Sequence, residues 1–108
     1  MGERMLAVYV TCANEKEASK IASAAVGKKL AACANYWKGK SVFKWKGKTR
    51  RASEWLLLLK TTEKNYSPLE ALVKSLHSYA LPAIIALKPV GASKEFSCWV
   101  EKEVGASE

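Results

Sequence analysis

The chain carries one imidazole, His77, and three thiols, Cys12, Cys33 and Cys98. Nitrogen and sulfur donors of this kind suit copper, so His77 is the first residue to weigh as a metal ligand. It stands in "LHSYALP", at the expected end of a helix, where a histidine can equally cap carbonyl groups. No two of the cysteines share the C-x-x-C spacing, and one thiol is left over after any intrachain pair. In a reducing compartment they are most simply small buried hydrophobes. The sequence shows no acids set as a catalytic pair, no nucleophile with a base at reach, and no glycine loop to cradle phosphate. Those residues argue against an enzyme.

A second chemistry is written in "SVFKWKGKTRRASEW", Ser41 to Trp55, where Phe43, Trp45 and Trp55 interleave with Lys44, Lys46, Lys48, Arg50 and Arg51. Rings set among cations compose either a grip on nucleic acid or a hairpin whose charges are only solvated. The net charge of +8 favours polyanionic partners in general, but charge speaks to association and solubility, not to fold.

The elements that must hold these residues fit one domain of 108 residues, 49% of them hydrophobic. No run approaches the roughly 20 apolar residues of a membrane span; Leu56 to Leu59 is short and Lys60 ends it. "MGERMLAVYV" has no long apolar stretch with a small-residue cleavage site, so the expected location is the cytoplasm. Met5 to Cys12 alternates, Leu6, Val8 and Val10 against Ala7, Tyr9 and Thr11, as a strand does. Asn14 then caps a helix, with Glu17 in capping-box position and Ala18, Ile21, Ala22 and Ala25 at helical spacing. Leu30 to Tyr36 opens a second strand, which Lys38-Gly39-Lys40 is expected to interrupt before it resumes at Ser41.

Gly47 is expected to turn the chain through Arg50 into a third strand, Ser53 to Thr62. That strand contains "WLLLL", apolar on both faces, so both faces must be covered. In a small two-layer domain one side of such a strand is normally wet. "YSPLEALVKSLHSYALP" reads as a helix capped by Ser67, with Pro68 first and Glu70 completing the box, burying Leu69, Leu72, Val73 and Leu76. Ala83 to Leu87 is a short strand. Ser93 caps a last helix with Phe96, Trp99, Val100 and Val104 inward, and Gly105 to Glu108 is a frayed end. The order strand, helix, strand, strand, helix, strand is the split βαβ arrangement, an antiparallel sheet with helices on one face.

"LAACANYWKGKSVFKWKGKT" and "LLLLKT…LHSYALPAIIALKPV" resemble the CutA family, the divalent-cation tolerance proteins, over nearly the whole chain. The resemblance implies an α+β, ferredoxin-like protomer with a long hairpin of its second and third strands and an added C-terminal helix. It further implies a homotrimer in which that hairpin pairs with neighbouring subunits, so that Phe43, Trp45 and Trp55 become interface rings. The implied function is tolerance of divalent metal ions, with copper or another divalent ion as ligand, held by His77 and by a cysteine at the end of the first strand, a place that falls on Thr11 or Cys12 and so points to Cys12. Where the family often reads His-Pro-Tyr and then Pro-Glu, this chain has His77-Ser78-Tyr79 and Pro82-Ala83, which removes a carboxylate that could share the ion.

By the same likeness Lys60, Glu54, Tyr79 and Trp45 line a cleft between subunits. The alternative within this fold is a trimeric signalling module like the PII proteins, which bind nucleotides at such clefts. RNA-recognition modules share the protomer topology too, but Ser53 to Thr62 lacks their aromatic run on a central strand. Nucleic acid is therefore not an expected partner. The basic turn Thr49-Arg50-Arg51, where many members carry acids, is at most a weak, salt-sensitive polyanion site.

Overall fold

Alternation decides the first element. In the computed structural model, which describes residues 5–105, strand β1 (Met5–Cys12) buries Leu6, Val8, Val10 and Cys12 and leaves Ala7, Tyr9 and Thr11 half-covered. The first four residues and all but Gly105 of the expected frayed end lie outside the described residues. Helix α1 (Glu15–Gly27) starts where Asn14 Oδ1 accepts the Glu17 N–H at 2.8 Å. Its buried stripe of Ala18, Ile21, Ala22 and Ala25 lets the helix lie close on the sheet.

Strands β2 (Cys33–Trp45) and β3 (Lys48–Thr62) form one long hairpin. Lys46 and Gly47 alone make the turn, with φ of 52° and 78°, the left-handed pair that a two-residue hairpin loop requires. The turn is thus shorter than the sequence suggested, and β3 begins at Lys48 instead of Ser53. The expected break at Gly39 does not occur. A Cβ there would stand 2.9 Å from Leu56 Cδ1, so the glycine marks a close approach of the neighbouring strand's side chain within an unbroken ladder.

A 3₁₀ turn, Glu63–Asn65, leads into helix α2 (Tyr66–Leu76). This turn carries the helix backward past the expected cap, so Ser67 is already helical and forms no capping bond. Pro68 stays within the first turn, where its missing N–H costs nothing. Leu69 and Val73 are fully buried, and Leu72 and Leu76 pack beside them. Strand β4 (Ile84–Leu87) and helix α3 (Lys94–Gly105) complete the chain, with the Phe96 N–H bonded to Ser93 Oγ at 3.2 Å.

The sheet order is β2-β3-β1-β4, every neighbour antiparallel: the ferredoxin-like α+β arrangement. Register gives the sheet two distinct faces. Leu57 and Leu59 point with Val8 and Val10 toward α1 and α2, in the main core. Leu56 and Leu58 point the other way, with Tyr9, Thr11, Asn35 and Trp37. Helix α3 departs from the expectation that all helices share one face. Its Val100 and Val104 are buried with Ala32 and Met5, and Met5 alternates onto the second face. Phe96 and Trp99, expected inward, are exposed and pack on each other with ring centroids 5.7 Å apart.

The rest of the second face is bare. Trp37, Phe43, Trp45, Ile85 and Leu87 fall on it by register and are each between 40% and 48% exposed. Pairing of β1 with β3 stops at Cys12 opposite Trp55, whereas β2 and β3 continue to Trp45 and Lys48. The hairpin therefore projects as an arm, and the protomer measures 47 × 26 × 21 Å.

Candidate functional site

Where β1 ends, three segments meet. Cys12 closes β1, Glu17 lies in the first turn of α1, and His77 follows α2. One ligand atom from each, the Cys12 Sγ, a Glu17 carboxylate oxygen and a His77 ring nitrogen, all lie within 4.8 Å of one another. The His77 side chain is fully buried, and its Nε2 is 2.8 Å from the Thr11 carbonyl oxygen. Since a carbonyl only accepts, Nε2 carries the proton. Nδ1 then accepts the Tyr79 N–H at 3.1 Å and faces Glu17 Oε2 at 3.6 Å. These bonds fix the ring's orientation and tautomer, with Nδ1 turned toward the Glu17 carboxylate.

Glu17 does more than its place in a capping box suggested. Oε2 accepts the Ala13 N–H and Oε1 accepts the Ser78 N–H, both at 3.0 Å, so one carboxylate ties the start of α1 to the loop after α2. Burial by itself raises its pKa, but the Ser78 and Ala13 hydrogen bonds outweigh that and hold it below the usual carboxylate range. A carboxyl lowered on folding contributes stability that is present above its unfolded pKa and disappears as the pH falls through the folded one. Glu17→Gln is expected to cost about 1–2 kcal/mol near neutrality and to give a shallower loss of melting temperature below pH 4.5. Thermal melts of both proteins from pH 3 to 7 check this; parallel curves would contradict it.

Cys12 is fully buried. Burial first, then the charges of Glu17 and Glu54, push its thiol pKa from 9.0 up to about 12. It is a thiol at neutral pH, and a nucleophile needs the thiolate. Alkylation at pH 8 is therefore expected to modify the exposed Cys98 and to spare Cys12 by roughly 10³-fold relative to unfolded chain. Peptide mass mapping reads the result, and equal labelling of both would contradict it. Because the folded pKa is raised, this group's stabilisation is complete below pH 9.0 and is lost as the pH climbs toward 12.

The loop that carries His77 and Ser78 also walls a groove. Beyond the end of β1, Glu54 is buried on the second face and accepts from Ser41 Oγ at 2.5 Å and from the Tyr79 hydroxyl at 2.7 Å. Burial, and then the Glu54 carboxylate that the hydroxyl serves, keeps the Tyr79 phenol protonated well past its ordinary value. The groove encloses about 840 Å³ between the arm and residues 78–83, with Phe43, Trp45, Arg50, Arg51, Glu54 and Tyr79 around it.

Of the four residues expected at a cleft, Trp45, Glu54 and Tyr79 come together here. Lys60 does not. It sits six residues along β3 from Glu54, about 20 Å away, on the second face with its ammonium on Asn35 Oδ1. Of the two expected metal ligands, His77 and Cys12 do converge. Sequence reasoning missed the third member, Glu17, because the cap accounted for it and nothing local shows that its second oxygen meets Ser78. Ala83 leaves no carboxylate there, while Glu17 places one beside His77 from another segment.

Fold and site together define a ferredoxin-like protomer with a buried thiol–carboxylate–imidazole cluster under a long hairpin arm. The profile of the CutA1 divalent ion tolerance protein family matches residues 6–103. The chain belongs to that family. It is 37% identical over 97 residues to the divalent-cation tolerance protein CutA of Archaeoglobus fulgidus, covering 90% of this chain and 95% of that one. A chloroplastic protein CutA of Arabidopsis thaliana is 39% identical over 97 residues, covering 89% of this chain and 53% of that longer protein. The solved structure of the Archaeoglobus protein, described as a periplasmic divalent cation tolerance protein, superposes with a TM-score of 0.90 at 36% identity, over 93% of this chain and 98% of that one. No helix among the described residues is long and apolar enough to cross a membrane.

Proposed function

We propose that this chain serves tolerance of divalent metal ions as a homotrimer, by binding and not by catalysis, with Cys12, Glu17 and His77 as its ion-responsive centre. The observation that carries the assignment is the orientation of His77. A metal-bound imidazole usually donates its other N–H to a carbonyl or carboxylate, which fixes the ring. Here Nε2–H serves the Thr11 carbonyl and Nδ1 faces the Glu17 carboxylate, in a cluster that also holds the Cys12 thiol. Sulfur and nitrogen donors favour copper among the ions such a site could take. Because the Cys12 thiol is protonated, an ion must displace that proton, and affinity rises with pH. Ligation at Nδ1 would also free the Tyr79 N–H and so alter the wall of the groove.

Apo protein titrated with Cu(I) and Cu(II) tests this. Cys12→Ser and His77→Ala are each expected to weaken binding by 10-fold or more, Glu17→Gln by less, and wild-type affinity should tighten with each unit of pH. Equal binding by all four proteins would remove the assignment.

Trimerisation is supported by the bare second face, where rings lie exposed along β2 and aliphatic side chains along β4. Obligate interfaces have this apolar character. The cytoplasm is the proposed setting, since the fold carries Cys12, Cys33 and Cys98 as three free thiols. A second reading rests on the groove, where Arg50 and the flanking rings suit a small anionic ligand such as a nucleotide. A screen of nucleotides by thermal shift tests it, because a ligand of the folded state raises the melting temperature; no shift with any nucleotide would exclude this reading.

A further inference from the structure

Register sorts the charges of the arm in a way that the order of residues does not. On β2, Lys38, Lys40, Val42 and Lys44 point to the helix side of the sheet. Opposite them on β3 stand Trp55, Ser53, Arg51 and Thr49. The helices end short of the arm, so Lys38, Lys40, Lys44 and Arg51 are all exposed on one two-stranded surface, with the hydroxyls of Ser53 and Thr49 between them. From Lys38 to Arg51 the hairpin holds seven lysines and arginines. The one carboxylate on these strands, Glu54, is buried on the opposite face and occupied by Ser41 and Tyr79. Among the described residues the ion pairs of lysine lie elsewhere, at Lys74–Glu70 and Lys88–Glu63.

Like charges two residues apart on one face of a ribbon, about 7 Å from each other, work against the fold's own stability. A polyanion relieves that repulsion. We infer that the helix-side face of the hairpin arm binds the phosphate backbone of duplex nucleic acid without reading its sequence. The row from Lys38 to Lys44 runs about 20 Å, and a two-stranded ribbon is among the shapes a major groove admits. Single strands are held chiefly by stacking on exposed rings. This face offers none along the arm; Tyr36 and Trp55, at its base, pack on each other with centroids 6.1 Å apart. A membrane surface calls for apolar side chains to insert beside the cations, and Val42 is alone here.

The expectation against nucleic acid rested on the missing aromatic platform, which a duplex backbone does not need. The inference is independent of the metal centre. It is also compatible with assembly, because the apolar face and the cationic face are opposite sides of the same ribbon.

The test is the binding of a labelled duplex of about 30 base pairs, followed by anisotropy between about 50 and 200 mM salt. Four phosphate contacts predict a slope of log affinity on log salt near −3.6, or roughly a 10²-fold loss over that range. Replacing Lys38, Lys40 and Lys44 by Gln should bring the slope to about −1, and replacing the same three by Arg should restore it. A control that removes the same charge at the exposed Lys16, Lys20 and Lys64 should keep the wild-type slope. No binding at the lower salt, equal loss in the control, or tighter binding to vesicles of anionic phospholipid than to duplex would each overturn the inference.

Discussion

Trp37→Asp is expected to take the assembly apart. Trp37 lies on the edge strand β2, beside Leu56 on the second face of the sheet, and is 42% exposed in the protomer. In a chain that works alone, an aspartate at so open a position would be hydrated and nearly neutral in its effect. In a trimer closed over this face, the carboxylate is buried without a partner, and such a charge costs on the order of 3–5 kcal/mol. Three copies would each bear that cost. Sedimentation or light scattering should show a species of about 36 kDa, three times 11.9 kDa, replaced by monomer or by unfolded chain. Unchanged mass and melting temperature would count against the proposed packing.

Leu57→Ala is expected to act on the other side of the same strand and by a different route. Leu57 is fully buried among Val8, Val10, Ile21, Leu69 and Val73. Truncation removes its transfer energy and leaves a cavity that helices packed on a sheet collapse into only partly. The expected loss is about 3 kcal/mol, a large share of the roughly 5–15 kcal/mol that a domain possesses. Denaturant unfolding with and without the substitution measures it. The folded fraction should keep the assembled mass, which separates this effect from that of Trp37→Asp. A loss under about 1 kcal/mol would mean that Leu57 is not in the core.

The contrast between these two positions was legible before any coordinates. "WLLLL" is apolar at odd and even positions alike, and a strand's period of two assigns half of it to each face. Met5–Cys12 showed its buried side by plain alternation, and Asn14 declared the start of α1. What the sequence concealed was long-range or set by close contact. Lys38-Gly39-Lys40 looked like a break because glycine and charge usually punctuate strands. The role of Gly39 emerges only when Leu56 arrives from the next strand. Ser67 and Pro68 carried a textual helix start, yet the 3₁₀ turn before them extended the helix backward.

At the site, Cys12 and His77 could be chosen by type, but not Glu17. Its second role needs Ser78, 61 residues away. Lys60 stands apart from Glu54 within the protomer for the opposite reason. It follows the leucine run in sequence, but a strand advances about 3.3 Å per residue, which carries it well away from Glu54. The cations of the arm were obvious as a run. Their division between two faces awaited the register set by the turn at Lys46 and Gly47.

Sedimentation velocity at micromolar concentration bears most directly on the claim that the bare second face is closed by other copies of the chain. The account predicts one species near 36 kDa, with little or no 11.9 kDa protomer. A folded, soluble monomer of 11.9 kDa under those conditions would contradict it.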